Sequence, residues 1–90
     1  MLPSEHLEAL HKKLHQAFSP LRLEIHDDSA DHAGHGASGA HMRIIVVAEA
    51  FRDLTPLARH RKVNALLQEE LASGRIHALQ ISARAPGENS

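Results

Sequence analysis

The sequence predicts an α+β fold, an α-β-β-α-β sandwich in which two helices lie on one face of a three-stranded mixed sheet. Three observations predict it. Apolar residues recur at helical spacing from residue 4 to 18, the period drops to two at Leu21, and a capped helical stretch then separates a β-branched run from a third alternating run. A hairpin joins strands one and two, whereas a helix between strands two and three carries the chain back over the sheet. Strands two and three are therefore expected to be parallel, with a right-handed connection. Ninety residues and 9.9 kDa support one core and no second domain.

Pro3 and Ser4 open the first helix, with Leu7, Leu10, Leu14, Ala17 and Phe18 on one face and Glu5, Glu8, Lys12 and Lys13 on the other. It is expected to end near Ser19-Pro20. Leu21, Leu23 and Ile25 then alternate with Arg22, Glu24 and His26, as a half-buried strand requires, until Asp27-Asp28-Ser29 stops the pattern. Residues 28–40 hold Asp, Ser, Ala, His and three glycines without periodicity, which predicts a long, mobile, histidine-bearing loop before the strand at Met42 to Val47.

Phe51 to Leu54 reads as a turn. Thr55-Pro56 then starts the second helix, a capping hydroxyl followed by proline at the first helical position. The helix is expected to run to about Ser73 on an apolar stripe of Leu57, Val63, Leu67 and Leu71, with His60 near its middle and Arg59 and Arg61 on its flanks. Gly74 closes it as a left-handed cap. The third strand, Ile76 to Ala83, places His77, Leu79, Ile81 and Ala83 on one face, and residues 84–90 form a tail expected to fray.

Composition limits the chemistry. Nine histidines and no cysteine leave imidazole as the borderline ligand this chain can offer, suited to zinc, copper, nickel, or the histidine-ligated iron of a cluster whose other ligands are thiolates. Such a cluster would need a partner. A formal charge of −1 supplies no overall basic field for nucleic acid. No apolar run approaches the roughly 20 residues needed to cross a bilayer, and Met1 to His11 lacks the apolar core of a signal peptide, so a cytoplasmic protein is expected. The missing cysteines say nothing about compartment. There is no thiol nucleophile, no metalloprotease HExxH, no phosphate loop and no nucleophile elbow, which argues against an enzyme.

Among the histidines, His32 and His35 sit between glycines that let the backbone reshape around a ligand, although a solvated loop histidine is the commoner role. His77 directly follows a helix end, where an imidazole bonded to an orphan carbonyl is the simplest reading. His60 reads as a buried, hydrogen-bonded core residue whose loss mainly destabilises. His11 and His15 stand four apart but lack a third ligand, so they read as surface. Gly36-Ala37-Ser38-Gly39 spells the GxxG string of KH domains, yet it lies in a strand-to-strand loop, the wrong context. Arg43, Arg59, Arg61 and Lys62 form the main basic concentration, a solvated face or a docking surface for an acidic partner or DNA phosphate.

Asp27-Asp28-Ser29-Ala30-Asp31-His32-Ala33-Gly34-His35, His41 leading into the second strand, Phe51, Arg59-His60-Arg61, Glu69-Glu70-Leu71 and Ile76-His77-Ala78-Leu79 together resemble the BolA family over nearly the whole length. The Arg-His-Arg helix followed by His-Ala-Leu is its most specific part. The resemblance implies a KH-like α-β-β-α-β fold, which agrees with the order derived above. It also implies a heterodimer with a monothiol glutaredoxin around a bridging [2Fe-2S] cluster, in iron-sulfur trafficking or iron sensing, from a chain that is a monomer without cofactor when alone. His77 is then the cluster ligand that opens the last strand. The second ligand comes from the loop between strands one and two, His32 before His35, with glutaredoxin and glutathione thiolates on the other iron. Some relatives bind DNA as transcriptional regulators, which makes weak DNA binding by the basic second-helix surface the alternative. Met42 replaces a usual aromatic and can fill the same space; Asp53 replaces a common glycine and puts the local turn in question.

Overall fold

The computed structural model describes residues 3–28 and 40–88. Along the chain these form α1 (Ser4–Phe18), β1 (Arg22–Asp27), β2 (Ala40–Val47), a 3-10 turn at Glu49–Phe51, α2 (Pro56–Leu66), α3 (Gln68–Ala72) and β3 (Ile76–Arg84). The sheet order is β1-β2-β3, with β1 antiparallel and β3 parallel to the central β2. The topology expected from the crossover helix is therefore the observed one.

Central β2 shows the cleanest alternation, because one of its faces meets the helices. Ala40, Met42, Ile44 and Val46 are buried, while His41, Arg43, Ile45 and Val47 point to the other side. Leu10 and Leu14 of α1, Val63 of α2, Leu67 and Phe51 close over the buried side. Both phenylalanines of the chain meet there, Phe18 and Phe51 with ring centroids 4.9 Å apart. Met42 is 2% exposed, so it fills core space as expected of a flexible thioether.

Local stop signals act as their chemistry dictates. Ser19 ends α1 in the left-handed region at φ 44°, and Gly74 turns into β3 at φ 81°. The Thr55 hydroxyl accepts from Ala58 N at 3.1 Å, capping α2. Asp53 takes φ 66°, a conformation an aspartate tolerates better than most residues.

Several expectations are corrected. The second helix does not run unbroken to Ser73, since Leu67 leaves helical geometry at φ −102°, ψ 16°. At the break Leu67 is fully buried, and beyond it Glu70 of α3 meets Lys13 of α1 with carboxylate contacts of 2.9 and 3.0 Å. Leu57 is 57% exposed and His60 is also exposed, so neither belongs to a buried stripe. Arg59 takes the inward place next to His60: its side chain is only 11% exposed, and it donates to Leu54 O at 3.0 Å and Ala83 O at 3.2 Å. Leu21 is 77% exposed and precedes the first strand. The tail expected to fray from Arg84 is instead tied down as far as Glu88. Ala48 N bonds Arg84 O, Ala85 is 1% exposed, and Glu88 joins Arg59.

Candidate functional site

The start of β3 is where the sheet becomes irregular. Ala40 pairs with Ile76 and His41 pairs with Ala78, so His77 is the extra residue of a bulge in a parallel pair. The alternation expected to put His77 on the face of Leu79, Ile81 and Ala83 therefore fails by one residue. Ile76 points into the core at 1% exposure, the bulge absorbs His77, and Leu79 resumes the inward face. His77 is exposed as a result. The half-buried imidazole bonded to a helix carbonyl is not what forms.

The same register brings His41 beside His77, their ring centroids 5.4 Å apart and their planes 52° to one another. Sequence reasoning weighed His41 only as part of a family pattern. Its position beside His77 depends on the parallel register and the bulge, which no local spacing in the sequence reveals. The backbone of β1 closes against the same place, with Asp28 N donating to His41 O at 2.7 Å. Asp28 and Arg43 form an ion pair at 3.2 Å on the open side of the sheet. A cavity of about 230 Å³ lined by Asp28, His41, Met42, Ala78, Leu79 and Gln80 lies there.

His32 and His35 lie outside the described residues. The segment that carries them leaves β1 just after Asp28 and enters β2 at Ala40, so its two ends flank His41. Two imidazoles bound to one metal at about 2.1 Å each hold their ring centres within about 6 Å of one another. His41 and His77 satisfy that bound as they stand. Among the described residues no group of three or more histidines or carboxylates gathers into a metal cage.

The four basic candidates do not assemble into one patch. Arg59 is turned inward and forks onto Glu88, with contacts of 2.6 and 2.9 Å. That guanidinium, together with the Ala85 amide, holds the Glu88 carboxyl down at about 2. Arg43 is held by Asp28 on the open sheet face, and Arg61 and Lys62 stand exposed on α2. His11 and His15 are exposed on α1.

The family described as BolA-like protein matches residues 14–88. The chain belongs to the BolA family. Among its relatives, BolA-like protein 1 of Pongo abelii is 49% identical over 85 residues, covering 91% of this chain and 61% of the relative, so the chain spans about three fifths of that protein's length. A protein of Vibrio cholerae named DNA-binding transcriptional regulator BolA is 42% identical over 74 residues, covering 82% of this chain and 69% of the relative. The solved BolA domain of SufE1 from Arabidopsis thaliana superposes with a TM-score of 0.82 at 39% identity, covering 99% of this chain and all of that domain. A two-layer α+β fold is thus common to this BolA-family chain and its structural neighbour. Among the described residues no helix is long and apolar enough to cross a membrane.

Proposed function

We propose that this BolA-family chain is a non-enzymatic, cytoplasmic partner of a monothiol glutaredoxin, sharing with it a [2Fe-2S] cluster in iron-sulfur trafficking or iron homeostasis. The observation that carries the reading is the exposed His77, set on a bulge beside His41. A cluster bound there would take imidazole from this chain and thiolate from the partner and glutathione, since the chain has no cysteine. His77 is the first ligand. The second is an imidazole of the segment between β1 and β2, His32 before His35, with His41 at the end of that segment beside His77.

This chain's contribution is positional. Bulge geometry aims His77 outward without disturbing Ile76 in the core, so a ligand can be exposed on a rigid strand. The exposed imidazole presents its ring to a partner's side of the sheet.

Mixing the full chain with a cluster-loaded monothiol glutaredoxin and recording visible absorption and circular dichroism tests the reading. The wild type should give a mixed histidine-thiolate spectrum. His77→Ala should still dock but lose it, and single Ala variants at His32, His35 and His41 identify the second ligand, His32 being the expected one. An unchanged spectrum and cluster stability for His77→Ala would show the ligation wrong. DNA regulation is the weaker reading on this geometry, because two of the four basic side chains are already held by carboxylates.

A further inference from the structure

We propose that the free edge of β3 is a docking edge for an extended, acidic polypeptide segment, which adds to the sheet as a fourth strand. The two edges of this sheet are protected differently. Edge strand β1 carries Arg22, Glu24 and Asp27, and Glu24 is held by both Arg22 and His26. Charges of this kind discourage a neighbouring strand from pairing. Edge strand β3 runs from Ile76 to Ala83 without a proline, a lysine or a carboxylate.

Backbone direction shows which groups that edge offers. Arg84 O accepts from Ala48 N of the β2 side, whereas Ala83 O accepts from the Arg59 guanidinium on the opposite side. Alternation along a strand then turns the amides and carbonyls of Leu79 and Ile81 outward as well. Arg59 and Glu88 close the far end, and Leu79 and Ile81 remain open to pairing among the described residues.

Side chains around this edge supply the selectivity. Two adjoining cavities, of about 310 and 500 Å³, share His60, Ile81 and Ser82 and together run along it. Arg84 and His60 line them beside Arg43 and Arg59, which Asp28 and Glu88 already hold, and no carboxylate lines either cavity. Arg84 Nε is out of contact with solvent and has no hydrogen-bond partner. Glu88 on Arg59 already shows, within the chain, a carboxylate settled at one end of this edge. An acidic strand would continue that pattern, its backbone on Leu79 and Ile81 and its carboxylates toward Arg84 and His60. A second copy of this chain fits less well, because edge-to-edge pairing would bring these cations against their own equivalents.

The test is a titration of the ¹⁵N-labelled full chain with a blocked hexapeptide of alternating glutamate and valine. We expect saturable shifts at the Leu79, Gln80 and Ile81 amides, and hydrogen exchange at Leu79 and Ile81 slowed about tenfold at saturation. A version N-methylated at alternate residues, which lacks the donors for strand addition, should not bind. Gln80→Glu, at an exposed site beside Arg43, should weaken binding by about tenfold through like-charge repulsion, and Ser82→Asp gives a second variant should the first not fold. Equal binding by the N-methylated or a lysine-valine peptide, shifts confined to Arg61 and Lys62, or no response at all would overturn the proposal. So would the same pattern produced by oligothymidylate, or by the chain pairing with itself as its concentration rises.

Discussion

Strand β3 ends on Arg84 in a packed corner and begins on Ile76 at a bulge, and the two ends are held by different means. At the far end Ala85 is buried, Ala48 N bonds Arg84 O, and Arg59 ties Leu54, Ala83 and Glu88 together. At the near end Ile76 is buried and Ala40 N bonds Arg75 O, while the next residue, His77, is turned out to solvent by the bulge. The polar groups of the closed end are spent on one another. At the open end His77 is exposed on a rigid strand, which is the arrangement a binding residue requires.

The largest effect should separate neighbours at the open end. Ile76→Ala empties a fully buried site and should destabilise by about 2 to 5 kcal/mol, read from urea unfolding. If the loss were below about 1 kcal/mol, the anchor assigned to Ile76 would be wrong. Gly74→Ala comes next. A Cβ there meets no atom within 4 Å, so the cost is the left-handed backbone at φ 81°, about 1 to 2 kcal/mol.

The closed end should show its own pH dependence. Glu88 has its folded-state pKa lowered from 4.5 to about 2 by the Arg59 guanidinium first and the Ala85 amide second. A depressed carboxylate contributes stability that is fully present above about pH 4.5 and is lost as pH falls toward 2. Hydrogen exchange at the Ala85 amide should therefore quicken over that window, and Glu88→Gln should remove the dependence. An Ala85 exchange rate unaffected by that substitution would mean that Glu88 does not hold the corner.

Smallest of all on stability are the two exposed histidines. His77→Ala and His60→Ala should each change unfolding free energy by no more than about 0.5 kcal/mol. For His60 this reverses what its place in the helical pattern suggests. A loss of 1 kcal/mol or more at His77 would return it to the role of a helix-end partner.

Periodicity, caps and turn residues made the element order, the hairpin, the parallel crossover and the left-handed cap at Gly74 legible from the sequence. Each is decided within a few residues, by hydrogen-bond spacing and by which side chains tolerate a positive φ. What only the tertiary structure decided is which way particular side chains face. Arg59 and His60 are adjacent on one helix, and the choice of Arg59 as the inward residue depends on carbonyls at Leu54 and Ala83 and a carboxylate at Glu88, up to 29 residues away. His77 likewise leaves the core face because the register of β3 on β2 slips by one residue there, and the same slip brings His41 to its side. Local pattern carries the spacing of residues along one element. The rotation of a helix and the register of a strand are settled by the partners that other elements bring.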